Sequence, residues 1–338
     1  MTTTIKDVAR VAGVSPATVS RVLNNSPRVK KETEIKVKKA INELNYEINE
    51  PARTLRTATS NLIGVIGVNL NNKFLMDMLE KAEIFARKEG YNFLLGDSGK
   101  SLDKKIDYLQ IMKQKNIDGI IIISSSWQEN FLEKLEKSQI PAVIASGQMP
   151  NSSITCVSVN NRLAGFQVIE KLYQMGHDKI GIITGPKTDT ISSQKRLQGV
   201  LDASEEFGLN IRENLIATGD FTFNSGFVGA QKLIRNNEGL SAIFAFDDRM
   251  AIGAIRGVES QKKSVPDDVS VMGFDNIEVA KFVSPSLSTV HQPCASLGKT
   301  AIELLLKKIE EENFSATNKF IDHEIVLRES TAPNNNLY

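Results

Sequence analysis

From residue 61 onward the chain alternates short, almost continuously apolar runs with longer amphipathic stretches, and this rhythm restricts the fold more than any other feature. "LIGVIGV" from Leu62 has the character of a buried strand, and a helical pattern follows through Leu75, Met78, Leu79, Ala82 and Phe85. Strand runs recur at Asn92 to Leu95, Gly119 to Ile123, Val143 to Ala145 and Thr155 to Val159, with helix-like segments such as Lys104 to Gln114 between them. The alternation restarts with a helix from Gly165 to Met175, "KIGIITG" from Lys179, a helix around Arg196 to Phe207 and a strand near Ile216. It continues with a helix near Gly226 to Ile234, "SAIFAF" from Ser241, a helix from Met250, "VSVMGF" from Val269 and a last helix from about Ser296 to Ile309. Strands that are apolar throughout, separated by helices, imply a parallel sheet covered on both faces. Some five such units occurring twice predict two similar α/β lobes facing a cleft. Small ligands favour the carboxyl ends of such strands and the space between domains.

The first 60 residues obey a different pattern. Thr4 precedes the apolar positions Ile5, Val8, Ala9 and Ala12, and Asp7 stands three residues on, so the segment reads as a capping box opening a short helix with one apolar face. Gly13 suits a tight turn, Ser15 can cap a second helix, and Pro16 fits that helix's first position because its missing N–H would have had no helical partner. Val19, Val22 and Leu23 supply an inward face; Ala17, Thr18, Ser20 and Arg21 lie outward. A third helix from about Lys31 to Asn45 offers Ile35, Val37, Ile41 and Leu44 to a small core that Tyr46 closes, with Lys36, Lys38 and Lys39 on the wet side. Asn49 can cap a further short helix containing Pro51, one too short to be stable without a surface to fold on.

Charge separates the two regions. Residues 1–60 carry 11 Lys or Arg against 6 Asp or Glu, a net of +5, whereas the other 278 carry 30 against 34, within an overall net charge of +1. The basic end is therefore the candidate polyanion surface. Two short helices joined by a tight turn, the second with a small, polar and basic outer face, make a helix-turn-helix suited to the major groove of DNA. Arg21 has the donor fork that reads guanine O6 and N7, while Ser15, Thr18 and the helix N-terminal amides suit phosphates.

The run "IKDVARVAGVSPATVSRVLNN" after Thr4, with Val29, Lys36-Val37, Ile41, Leu44-Asn45-Tyr46 and "ARTL", resembles the DNA-binding head of the lactose/galactose repressor family. "DDRMAIGAIRG", "VPDDVSVMGFDN", "SPSLSTVHQP" and "LGKTAIELLL" resemble the same family and the periplasmic sugar-binding fold. The resemblance implies an all-α helix-turn-helix head over 1–47, a hinge helix and linker over 48–60, and a two-lobed α/β domain of the periplasmic-binding-protein type over 61–330, followed by a tail, 331–338. It implies lobes of about 61–160 with 291–322, and 161–290 with 323–330. The DNA-contacting positions it implies are Thr4, Ser15, Pro16, Ala17, Thr18, Ser20, Arg21 and Asn24, with Asn49, Ala52 and Arg53 in the hinge and Leu55 as a wedge in the minor groove that kinks the duplex. The effector positions it implies are Asn71, Phe74, Asn160, Arg196, Phe221, Phe246 and Asp275. A carboxylate, a forked donor and an aromatic face suit a polyol or a planar polar ligand. The chain departs from the family at Lys30, where Ser or Thr usually caps the third helix, at Glu34, often an arginine, and at Ile48, often a proline.

Function follows as an expectation: a transcription regulator, a repressor of carbohydrate-metabolism genes, controlled by a small effector, a sugar or sugar derivative. Two heads must be held together to read two half-sites, so the large domain dimerises and the operator, double-stranded DNA, is palindromic. No leucine heptad follows Arg328, which favours a homodimer over a tetramer. Two alternatives stay open, a regulator answering to a purine or other metabolite and a solute-binding protein. The lack of an export segment, or of about 18 consecutive apolar residues, argues against the second and predicts a cytoplasmic, nucleoid-associated protein without membrane contact. Catalysis is not expected: His177, His291 and His323 form no motif, and nucleophile-elbow, Walker and dinucleotide signatures are missing. Cys156 and Cys294 lie far apart without metal-ligand spacing, so neither metal nor cofactor is implied. No feature argues for a protein coregulator.

Overall fold

A computed structural model describes residues 3–23, 28–46, 59–67, 71–99, 101–123, 129–147, 154–311 and 314–334. It divides into two compact units, Met1–Ser60 and Asn61–Tyr338.

The first unit contains helices α1 (Ile5–Ala12), α2 (Pro16–Leu23) and α3 (Lys31–Glu43). Asp7 closes the start of α1, its carboxylate accepting the Thr4 backbone N–H at 3.1 Å and the Thr4 hydroxyl at 2.7 Å. Gly13 ends the helix with φ at 67°, a left-handed conformation that costs glycine little because it has no Cβ. Two residues later the Ser15 hydroxyl oxygen accepts the Thr18 N–H at 3.1 Å, and Pro16 opens α2. The three helices bury Val8, Ala9, Val19, Val22, Val37 and Ala40, with Leu23, Ile41, Leu44 and Tyr46 packed around them. Complete burial of a valine such as Val8, Val19 or Val37 stabilises by about 1.5–3 kcal/mol.

Ile35 departs from expectation, for it is 62% exposed. The inward stripe of α3 follows Val37, Ala40, Ile41 and Leu44 at helical spacing, and Ile35 projects off that stripe. Lys30 stands at the N-cap of α3 with no side-chain cap bond, as its substitution for a hydroxyl residue implies. Glu34 is engaged by Lys38 at 2.5 Å, which holds its carboxyl below the ordinary value.

In the second unit the first lobe is built on β1 (Leu62–Ile66), α4 (Lys73–Lys88), β2 (Asn92–Gly96), α5 (Leu102–Gln114), β3 (Gly119–Ile122), α6 (Glu129–Ser138), β4 (Ala142–Ala145) and β5 (Thr155–Ser158). The second is built on α7 (Asn161–Gln174), β6 (Ile180–Thr184), α8 (Ser193–Glu206), β7 (Ile216–Thr218), α9 (Phe223–Asn236), β8 (Ala242–Ala245), α10 (Asp248–Ser260), β9 (Ser270–Asp275) and β10 (Ser288–His291). The chain then returns to the first lobe as α11 (Cys294–Glu310) and β11 (Asn318–Phe320), and ends in the second as β12 (Glu324–Val326). The two six-stranded sheets have matching orders, β11-β5-β4-β3-β1-β2 and β12-β10-β9-β8-β6-β7. Every pairing is parallel except that of β10 with β12.

Inner strands such as β3, β4, β6 and β8 are buried along their whole length, which accounts for their uninterrupted apolar sequences. Edge strand β2 is the contrast, with Asn92 and Leu95 exposed. The chain crosses between lobes after β5, after β10 and between β11 and β12. After the second crossing, Leu297, Ala301, Ile302 and Leu305 of α11 join the first lobe's core. Close packing of α11 on α4 depends on Gly298, where a Cβ would stand 2.7 Å from the Met78 carbonyl oxygen.

The C-terminal segment is tied across the second lobe. Val271 N–H donates to the Ser330 carbonyl at 2.7 Å, Ala332 N–H to the Ser270 hydroxyl at 3.0 Å and Asn334 N–H to the Met175 carbonyl at 2.8 Å. Among the described residues, no helix is long and apolar enough to cross a membrane.

Candidate ligand cleft and nucleic-acid interface

The carboxyl ends of both sheets converge on a cavity of about 400 Å³. Each segment leaving a strand supplies part of its wall. After β6 come Asp189, Ser192 and Arg196; after β7, Asp220, Phe221 and Thr222; after β8, Asp247 and Arg249; and β9 ends on Asp275. The first lobe contributes Asn71, Asn72, Phe74, Leu75 and Ser146, and Gln292 enters from the crossing after β10. Arg249 spans the two walls, donating through Nη1 to the Asn71 carbonyl at 3.2 Å and through Nε to Asp247 at 3.3 Å.

Arg196 is the centre of the second lobe's wall. Its Nε donates to Asn161 Oδ1 at 2.8 Å, its Nη1 donates to the Phe246 carbonyl, and its guanidinium lies over the Phe274 ring. Burial works against its charge, while Asp275, Asp189, Asp247 and Asp248 support it. Asp275 accepts from Gln292 Nε2 at 2.6 Å. Burial pushes its carboxyl up to about 7, against the pull of Arg196, and the neighbouring Asp247 adds to the rise. Behind it, fully buried Asp248 accepts from Thr289 Oγ1 at 2.5 Å and the Ile277 N–H at 2.7 Å. Its own carboxyl is raised well above the ordinary range by burial and then by Asp275.

Three non-glycine lining residues hold a left-handed backbone, Ser146 at φ 61°, Phe221 at 67° and Asp275 at 116°. Such conformations cost of order 1–3 kcal/mol each and concentrate where a side chain must be aimed at a ligand. Phe221 is seated against Gly185, where a Cβ would come within 2.2 Å of the ring's Cζ.

Of the seven effector positions expected from the sequence, Asn71, Phe74, Arg196, Phe221 and Asp275 line this cavity. Two do not. Asn160 turns back to cap α7, its Oδ1 accepting the Leu163 N–H at 3.1 Å, and the adjacent Asn161 is the amide that holds Arg196. The Phe246 ring is wholly buried and packs at a tilt on Phe244 with centroids 5.2 Å apart; only its carbonyl serves the site, through Arg196. Asp189, Ser192, Asp220, Thr222, Asp247, Arg249 and Gln292 went unnoticed in the sequence. Most of them stand within a few residues of a strand's carboxyl end, the position at which ligand-lining residues of such sheets are expected.

In the first unit, Ser15, Pro16, Ala17 and Arg21 are exposed along the front of α2, with Thr18 and Ser20 half-buried beside them. The Ser15 and Thr18 hydroxyls are 2.9 Å apart. Thr4 is exposed at the start of α1. The outer face of α2 is thus small, polar and basic, the shape and chemistry a major groove admits. Asn24 and the hinge positions Asn49, Ala52, Arg53 and Leu55 lie outside the described residues.

Comparison with known proteins accords with both regions. Residues 4–49 match the family described as bacterial regulatory proteins, lacI family, and residues 169–331 match the periplasmic binding protein-like domain. The chain is similar to catabolite control protein A of Priestia megaterium, 36% identical over 331 residues that cover 98% of this chain and 100% of that protein. It is 34% identical to the HTH-type transcriptional repressor PurR of Vibrio atlanticus (strain LGP32), covering 96% of this chain and 97% of that one. Among solved structures, the lac repressor dimer bound to operator and the anti-inducer ONPF superposes with a TM-score of 0.89 at 25% identity, over 98% of this chain and 100% of that chain. A complex of the transcriptional regulator CelR with cellobiose superposes with a TM-score of 0.75 at 27% identity, over 97% and 99% of the two chains. With a regulatory-protein head, a binding-protein fold behind it and relatives aligned over nearly its full length, the chain belongs to the LacI family of bacterial regulatory proteins, DNA-binding repressors that control metabolic genes through effectors and are not enzymes.

Proposed function

We propose that this protein represses carbohydrate-metabolism genes by binding a palindromic operator as a homodimer, and that a sugar or sugar derivative held between the lobes sets the strength of that binding. The observation that carries the reading is the meeting of Asp275, Arg196 and Phe221 in one cavity at the carboxyl ends of the second lobe's strands. A carboxylate accepts from hydroxyls, and an aromatic ring covers the apolar face of a sugar ring. The relative crystallised with cellobiose supports the same ligand class.

The domain arrangement in this reading is a head over residues 1–47, a hinge over 48–60 and an effector domain over 61–330. The head reads DNA through the front of α2, with Arg21 on a base edge and Ser15 and Thr18 on phosphates; Asn49, Ala52 and Arg53 flank Leu55, which enters the minor groove. Dimerisation uses apolar side chains left on the large domain, such as Val279 and Phe282, three residues apart at a 3₁₀ turn and 40% and 78% exposed. The dimer works on the nucleoid in the cytoplasm.

The test is operator affinity, measured by fluorescence anisotropy against salt and across a panel of sugars and nucleobases. One sugar should change a salt-dependent affinity; a response confined to nucleobases would overturn the carbohydrate assignment. Arg21→Ala should weaken operator binding by about 1–3 kcal/mol and relax specificity at one base pair. Leu55→Ala should reduce both affinity and bending while the fold persists.

A further inference from the structure

The described polar lining of the cleft carries more carboxylates than cationic side chains. Four carboxylates, Asp189, Asp220, Asp247 and Asp275, line the cavity, and Arg196 and Arg249 are the cationic side chains that line it among the described residues. Each arginine commits two of its nitrogens within the protein. Arg196 donates to Asn161 and to the Phe246 carbonyl and faces Phe274, and Arg249 donates to Asp247 and to the Asn71 carbonyl. Outside the described residues, the stretches adjoining the lining positions contain one charged residue, Lys100.

The carboxylates are fixed where they stand. Asp189 accepts the Ile191 and Ser192 N–H groups at 3.2 and 2.9 Å and the Ser192 hydroxyl at 2.6 Å. Asp220 accepts the Thr222 N–H at 3.1 Å and its hydroxyl at 2.6 Å. Asp247 accepts the Met250 N–H at 2.7 Å. Such acceptors suit hydroxyl donors. A phosphate group brings only acceptors and about two negative charges into walls where carboxylates outnumber cationic side chains among the described residues, and where repulsion is poorly screened.

We infer that the cleft selects neutral, unphosphorylated sugars and rejects their phosphate esters. This rests on the carbohydrate reading above and narrows it.

Isothermal titration calorimetry on the full chain tests it, with glucose, ribose and cellobiose beside glucose 6-phosphate and ribose 5-phosphate. A neutral sugar should bind, and a phosphate ester should bind at least tenfold more weakly than its parent. Asp220→Asn keeps the shape of that side chain and its capacity to accept from Thr222; it should narrow the gap by raising the ester's relative affinity. An ester that binds as tightly as its parent, or a gap that Asp220→Asn leaves unchanged, overturns the inference while leaving a carbohydrate effector in place. If no neutral sugar binds and hypoxanthine does, the carbohydrate reading falls and the inference falls with it.

Discussion

The guanidinium carbon of Arg196 lies 3.4 Å from the centroid of the Phe274 ring, so a buried cation rests on an aromatic face at the floor of the cleft. With two of its nitrogens donating to Asn161 and Phe246, the orientation of the planar group is set from three sides. A lysine ammonium retains the charge and has neither the plane nor the fork. Arg196→Lys is therefore expected to weaken effector binding at least tenfold while operator affinity without effector is unchanged, as calorimetry and anisotropy on the same preparation would measure. Unaltered effector affinity would remove Arg196 from the binding site.

Asp275 is buried at some cost to the stability of the protein. Its carboxyl, raised to about 7, favours folding when protonated, so its contribution is fully present below the ordinary value of 3.8 and is lost as pH rises through about 7. Asp275→Asn, which can still accept from Gln292, should raise the melting temperature at pH 8, by roughly 2–4 °C for each kcal/mol recovered. The difference should shrink at pH 5, and effector binding should be lost at both. A variant less stable than the parent at pH 8 would contradict the buried-charge account.

His177 has the opposite sign. Its Nε2 meets the Ala332 carbonyl at 3.0 Å and therefore carries the proton, while the buried Nδ1 has no hydrogen-bond partner among the described residues. Burial lowers its pKa below the ordinary 6.5, so its contribution is complete above 6.5 and declines as pH falls through the folded value. His291 and His323 are shifted the same way by burial. His177→Gln, which can still donate to Ala332, should flatten the acid limb of a stability–pH curve without abolishing it. An acid limb as steep as the parent's would show that His177 does not contribute to it.

Gly185 controls the aromatic wall. A methyl group there would collide with the tip of the Phe221 ring, and the ring, as the movable partner, would yield. Gly185→Ala should cost little stability and at least several-fold in effector affinity. A titration matching the parent would mean that Phe221 does not touch the ligand.

The parts of this architecture that were readable in the sequence are those governed by local chemistry. Gly13, Ser15 and Pro16 determine a turn and a cap whatever lies around them, and apolar runs such as Gly119 to Ile122 leave little but a buried strand. Ile35 misled because an isolated apolar side chain on a helix signals burial only when it falls on the common stripe. At the cleft, a family position identifies a residue but not the direction of its side chain. Asn160 and Phe246 occupy the right stretch of chain, yet one is drawn into a helix cap and the other into the core. Asp189 and Asp220 lie in connections and Arg249 in the first turn of α10, elements whose convergence depends on two sheets meeting, a long-range property that no window of neighbouring residues contains.

The three crossings between the lobes also govern how such a protein can be inherited. Each lobe is assembled from separated stretches of the gene, so a recombination point inside the large domain divides at least one of them, and a chimera joined there must reconcile two foreign halves of a single core. A junction near residue 60 divides neither compact unit. Heads and whole large domains can therefore be exchanged as units, whereas one lobe cannot be exchanged for another by a single crossover.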